Sequence, residues 1–246
     1  MSEVAVVRDA AEVARAAAEL FVEAVCGAHA ARGRAAVALT GGSSAPPLFQ
    51  ELLSPRWRPK IPWSDLQIFF TDERAVPPED PLSNKGAAQA QLLAHVPVAP
   101  GQVHALRGDA QDLAAEASRA AADLRATLGN PPRLDLVLVG LGPDGHIFSL
   151  FAGVDSSAMR GDEALVRAVA APLAVEPKVA RLTLTPFALL SARNVVVQVT
   201  SAKKAGVLAR ALKGPEDLVA CPAQWLRRAS GRVVIVADAE AAAQLA

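Results

Sequence analysis

The chain has 246 residues, with 25 lysines and arginines against 25 aspartates and glutamates, 52% hydrophobic residues and 20% charged ones. That apolar content excludes a disordered chain, and the zero formal net charge excludes a protein that coats nucleic acid or a membrane surface through overall basicity. Any anion bound here must be caught by a local arrangement of groups. Cys26 and Cys221 stand far apart and outside any CxxC or Cys/His cluster, so no disulfide framework is expected and a reducing cytoplasm fits. The start Met1-Ser2-Glu3-Val4 does not read as a signal peptide. No apolar run approaches the roughly 20 residues of a membrane span.

In chain order, residues 9–30 predict a helix, because Val13, Ala17, Leu20, Phe21 and Ala24 recur at helical spacing while Glu12, Arg15, Glu19 and Glu23 take another face. Arg34–Thr40 predicts a strand that runs into Gly41-Gly42-Ser43-Ser44, and a helix then starts near Pro46 or Pro47. Leu66–Phe70 predicts a strand ending in Thr71-Asp72-Glu73-Arg74, followed by a proline-rich loop, 75–83, with the character of a site loop. Helices are expected over 84–94 and 109–128, the second with Asp112, Glu116, Arg119 and Asp123 on its wet face. Leu134–Val139 is a buried-type strand entering the turn Gly140–His146. Further strands are expected at 165–170, 181–185, 194–200 and 232–237, with helices over 203–212 and from Asp238. This alternation predicts an α/β fold, a Rossmann-like, mostly parallel sheet with helices on both faces, in one domain spanning 1–246.

Ligands of open parallel sheets bind beyond the carboxyl ends of strands. Four polar clusters hold such positions: Gly41–Ser44, Asp72–Arg74, Gly140–His146 and the segment with Lys203 and Lys204. Their convergence on one edge of the sheet is therefore expected. Gly41–Ser44 has the small residues that expose backbone N–H groups to a phosphate, or that a tight turn needs, and no GK[ST] follows to make it a Walker loop. Gly140-Leu141-Gly142-Pro143-Asp144-Gly145 matches GxGxxG, with Asp162 and Glu163 downstream. However, Gly153 interrupts any long helix and Pro143 removes a donor, which argues against dinucleotide binding. A glycine turn carrying Asp144 and His146 suits proton transfer instead. Arg74, at the end of an apolar strand, suits a phosphate or an oxyanion. His29, His95 and His104 lack polar neighbours in sequence and read as structural. No metal-ligand spacing and no GxSxG elbow is present, so no catalytic metal and no cofactor is expected.

The segments LTGGSSAPPLF, FFTDERAVPPEDPLSNKGAAQAQLL, DLVLVGLGPDGHIFSLFAG, ARLTLTPFALLSARNVVVQVTSAKKAGVLARAL and VVIVADAEAA resemble, in order and spacing, the 6-phosphogluconolactonases, relatives of the glucosamine-6-phosphate deaminases. The resemblance covers nearly the whole chain. It implies a Rossmann-like fold and metal-free hydrolysis of 6-phospho-D-glucono-1,5-lactone in the oxidative pentose phosphate pathway. It implies His146 as the catalytic histidine, assisted by Asp144 or a backbone group, and Arg74 as the arginine that holds substrate. It also implies Gly41, Gly42, Ser43, Asp72, Ser83, Asn84, Gly145, Arg181 and Lys204 as binding positions, with Lys203 a second candidate beside Lys204. Ser201 stands where the family pattern has glycine, and GHIFSLFAG stands for GHTASLFPG. The deaminases carry DEY in place of Asp72-Glu73-Arg74 and a glutamate at the position of Phe151. Absence of that carboxylate favours a lactonase over an amino-sugar phosphate deaminase or isomerase. A non-catalytic sugar-phosphate regulator would lack a reason to keep both His146 and Arg74.

The expected partner is a small phosphosugar lactone, without nucleic acid or membrane, for a cytoplasmic monomer or weak homo-oligomer. Residues 203–232 hold seven basic side chains against Glu216 and Asp217, so a neutral chain can still turn positive charge toward the strand ends.

Overall fold

The computed structural model describes residues 2–153 and 164–245; Asp162 and Glu163 of the GxGxxG pattern lie outside them. In chain order the elements are β1 (Glu3–Val7), α1 (Ala10–Arg32), β2 (Ala35–Leu39), α2 (Ala45–Leu52), β3 (Leu66–Phe70), β4 (Asp72–Arg74), α3 (Asn84–Gln91), β5 (Val103–His104), α4 (Leu113–Leu128), β6 (Leu136–Gly140), β7 (Val166–Val169), β8 (Arg181–Leu184), α5 (Pro186–Ser191), β9 (Asn194–Val199), α6 (Ala205–Lys213), β10 (Arg232–Asp238) and α7 (Ala239–Ala242).

Seven strands form a parallel sheet in the order β1-β10-β9-β6-β2-β3-β5. Every residue of β2 is buried, as are Leu136–Val139 of β6 and Val195–Val199 of β9. Successive side chains point to opposite faces, so unbroken burial means that both faces are covered. The order reverses between β2 and β6: the chain adds β3 and β5 on one side, then β9 and β10 on the other. Such a reversal opens a crevice at the carboxyl ends of the two strands.

Local chemistry sets the helix ends. The Asp9 carboxylate accepts from the N–H of Glu12 and starts α1, whose buried Val13, Ala17, Phe21, Val25 and Ala28 face inward. Asp112 accepts from the N–H groups of Ala114 and Ala115 to start α4, and Asp238 caps α7. Among the described residues no helix is long and apolar enough to cross a membrane.

Three features differ from expectation. The segments 165–170 and 181–185 form strands, but as β7 and β8 they pair antiparallel with β4 in a separate three-stranded sheet, order β4-β8-β7. Glu116 is buried, not wet, because its carboxylate accepts from Arg119 and from the N–H of Arg107. The remaining histidines do have polar company: His104 contacts Asp123 (2.9 Å) and Gln67 (2.8 Å), His29 contacts Asp65 (3.2 Å), and His95 contacts the Ala90 carbonyl (3.1 Å). These partners come from distant strands and helices or from one helical turn away, which is why the flanking sequence hides them.

Candidate active site

The four polar clusters do converge. A cavity of about 360 Å³ lies at the β2/β6 reversal, lined by Thr40–Ser44, Asp72, Arg74, Asn84, Gly140–Pro143, His146, Phe148, Val175, Glu176 and Lys204.

The turn after β6 delivers the histidine. Gly142 lies so close to the imidazole that a β-carbon there would sit 2.1 Å from His146 Nδ1, so the turn needs glycine at this point. The Asp144 carboxylate is 2.5 Å from Nδ1 and also accepts from the His146 N–H. Burial raises the Asp144 carboxyl, but the hydrogen bond and positive charge of His146 outweigh it, and the net shift is downward. Asp144 is thus the residue that orients the ring. Nε2 has no hydrogen-bond partner among the described residues, and the ring packs against Phe151 with centroids 4.8 Å apart. Gly145 is not on the cavity wall. It makes the turn, with its N–H on the Gly142 carbonyl and its carbonyl accepting from Ala223.

The strand β4 delivers Asp72 and Arg74 as alternate residues. Asp72 accepts from Ser149 Oγ (2.7 Å) and from Thr71 Oγ1 (3.1 Å), so the turn that carries the histidine also orients this carboxylate. Arg74 donates from Nη1 to the Leu82 carbonyl (2.6 Å), while its Nε is buried without a hydrogen-bond partner. Between them Glu73 turns inward and accepts from Ser83 Oγ and from the N–H groups of Arg74, Asn84 and Lys85. Burial pushes the Glu73 carboxyl above its ordinary value despite these four donors. Glu73 thereby pins the start of α3 to β4, which sets Asn84 on the wall with its Nδ2 on the Asp72 carbonyl (2.9 Å). Glu73 has only one signal in the sequence, a carboxylate ten residues before a helix-capping serine. Ser83 itself is buried, caps α3 through the Gly86 N–H, and does not reach the cavity wall. The proline loop likewise supports the site, through Leu82 and Ser83, and does not line it.

The cations separate clearly. Lys204 is half-buried on the wall, its ammonium lowered by burial and partly sustained by Asp238. Lys203, next in sequence, is exposed and off the wall. Arg181 is buried and donates to the carbonyls of Pro177, Val179 and Ala180. Burial and the neighbouring Arg74 charge push it down to about 10. It therefore fastens the segment bearing Val175 and Glu176 and does not face the cavity. Of the seven basic residues in 203–232, only Lys204 lines the cavity, where it joins Arg74. Arg227 is used on three carbonyls, Lys213 on the Leu245 carbonyl, Arg228 on Glu216, and Arg232 on Glu3 and Glu23.

The chain is similar to known proteins over nearly its whole length. Residues 8–235 match the family described as glucosamine-6-phosphate isomerases/6-phosphogluconolactonase. The chain is 35% identical to a 6-phosphogluconolactonase of Streptomyces coelicolor, over 97% of this chain and 92% of that protein. It is 34% identical to one of Mycobacterium tuberculosis, over 99% and 98%. Among solved structures, 6-phosphogluconolactonase from Trypanosoma cruzi superposes with a TM-score of 0.87 at 26% identity, covering 100% of this chain and 97% of that one. A monomeric glucosamine-6-phosphate deaminase superposes at 0.78 with 21% identity over 98% and 99%, a likeness of fold. This chain is a member of the glucosamine-6-phosphate isomerase/6-phosphogluconolactonase family.

Proposed function

We propose that this chain hydrolyses 6-phospho-D-glucono-1,5-lactone to 6-phospho-D-gluconate, the second step of the oxidative pentose phosphate pathway, with His146 as general acid and base. The observation that carries the mechanism is the 2.5 Å contact between Asp144 and His146 Nδ1 on the cavity wall. The lowered Asp144 carboxyl is ionised at neutral pH and accepts from Nδ1–H, which leaves the Nε2 lone pair facing substrate. Nε2 takes a proton from water as its oxygen bonds to the lactone C1. The tetrahedral intermediate then collapses, the bond from C1 to the ring oxygen breaks, and Nε2–H returns the proton to that oxygen. Arg74, on the cavity wall, stabilises the oxyanion on C1. Lys204 and the backbone N–H groups of Gly42–Ser44 hold the phosphate, and Asp72 and Asn84 hold sugar hydroxyls. Ser83, Gly145 and Arg181 act behind the wall as supports. No step calls on a metal or cofactor.

General acid–base assistance is worth about 10²–10⁴-fold. His146→Ala is therefore expected to lower kcat/KM by that factor, measured above spontaneous lactone hydrolysis; near-normal turnover overturns the assignment. The deaminase alternative has less support, because Phe151 packs on His146 where those enzymes carry a glutamate. Ammonia release from glucosamine 6-phosphate tests it directly. We place the reaction in the cytoplasm, in keeping with the free thiols Cys26 and Cys221. Residues 1–246 act as one domain, in a monomer or weak homo-oligomer.

A further inference from the structure

Among the described residues two non-glycine residues have positive φ, Phe148 (+55°) and Ser201 (+86°). Both lie in segments that build the candidate site, where backbone strain tends to collect. Phe148 is the one whose side chain lines the cavity. The Leu150 N–H bonds the Ile147 carbonyl at 2.9 Å, closing a four-residue turn in which the first central residue alone is left-handed. That is the type II′ pattern, and its first central position suits glycine. A bulky aromatic there is held against its backbone preference by what surrounds it.

The following residue shows how it is held. The Ser149 N–H bonds Thr183 Oγ1 (3.1 Å) and its hydroxyl bonds Asp72 (2.7 Å), so the turn cannot relax without releasing Asp72. Phe148 itself is 6% exposed and lines the cavity. The rest of that wall is mostly hydroxyl, backbone and charge, with Leu141, Pro143 and Val175 as the other apolar members.

We propose that Phe148 is a specificity-determining residue whose ring covers the C–H face of the cyclic lactone. The inference rests on the lactonase reading. A six-membered lactone offers a compact carbon face that an aromatic ring can cover. The hydrolysed product is an open polyhydroxy chain that offers none. The ring thus favours substrate over product, while Lys204 and the glycine turn hold the phosphate of both.

The test compares wild type, Phe148→Leu, Phe148→Ala and Phe148→Gly, using KM for the lactone and the inhibition constant of 6-phosphogluconate. Leucine keeps most of the bulk and the same backbone cost but lacks the π face. We expect Phe148→Leu to raise KM roughly 5–10-fold, the size of an aromatic contact, with the product inhibition constant within about twofold of wild type. Equal shifts in both constants, or none in either, overturn the proposal. Phe148→Ala is expected to melt below Phe148→Gly, the reverse of the usual order, because alanine keeps the strain; the opposite order also overturns it. If alanine and glycine fail to fold, the leucine ratio still decides. Wild type that does not hydrolyse the lactone defeats the lactonase reading itself, an outcome separate from either of these.

Discussion

The two ends of the parallel sheet handle charge in opposite ways. At the amino end, a cleft of about 240 Å³ is lined by Glu23, Arg32, Asp135, Arg193 and Arg232. There Asp135, with its side chain 8% exposed, takes Arg32 at 2.5 Å, Arg193 at 3.1 Å and the Ala36 N–H at 2.9 Å. Arg232 is paired with Glu3 and Glu23. At the carboxyl end, Lys204 and Arg74 line the cavity with no side-chain hydrogen bond to a carboxylate among the described residues, and Asp72 is held by hydroxyls alone. Matched charges tie strands and helix together, whereas charges left unmatched around a cavity are available to a ligand. Cavities of similar kind therefore have different meanings. The partners of the lining groups tell them apart.

The largest expected effect lies at the carboxyl end. Asp144→Asn removes the carboxylate that fixes the Nδ1 proton, and we expect kcat/KM to fall roughly 10²-fold or more, by analogy with other His–Asp pairs. The same variant carries a pH signature. The folded Asp144 carboxyl lies below its unfolded value, so its stabilisation is complete above the ordinary aspartate range, about pH 4, and is lost as pH falls through the lower folded value. Urea unfolding across that acid window should show a shallower fall in stability for the variant than for wild type. At the opposite end, Asp135→Ala leaves two half-exposed arginines and the Ala36 N–H without their carboxylate and is expected to cost about 1–3 kcal/mol of unfolding free energy. Its kcat/KM should stay within about twofold of wild type. A large loss of activity in Asp135→Ala at full folding would erase the distinction between the two ends.

What the sequence revealed followed from distance along the chain. The apolar runs of β2, β6, β9 and β10 announced a parallel sheet, and motifs placed directly at strand ends announced the cavity. Helix starts were less legible: Asp112, expected inside a helix from 109, is instead the residue that caps α4 at its start. The short strand β4 was not, because Asp72-Glu73-Arg74 is polar and its partner β8 begins more than one hundred residues later. β1 was hidden for another reason: it is an exposed edge strand, with Val4 and Val6 facing outward, so it shows no burial pattern. Destinations of long side chains were the least legible. Arg181 and Lys204 look equivalent as basic residues, yet three carbonyls claim one and the cavity receives the other. Lys203 and Lys204 adjoin in sequence, but the 3₁₀ turn Ala202–Lys204 sends them to different surroundings.

Smaller effects sharpen the picture at the carboxyl end itself. Lys204→Met is expected to raise KM about 10–100-fold with a lesser change in kcat, the range of one charged hydrogen bond to substrate. A pure loss of kcat would move Lys204 from the phosphate to the reacting carbonyl. Ser201→Gly should produce the slightest change. Ser201 holds φ +86° where the family pattern has glycine, steadied by its N–H on Asp238 and a long contact from the Lys203 N–H to its hydroxyl. The backbone N–H bond survives the substitution and the left-handed strain is relieved, so we expect a gain of about 1 kcal/mol, or 2–4 °C in Tm. Activity should change by less than about twofold, since Lys204 keeps its place. If Tm falls instead, the serine hydroxyl holds the Lys204 turn in place, and its role is structural like that of the ion pairs at the amino end.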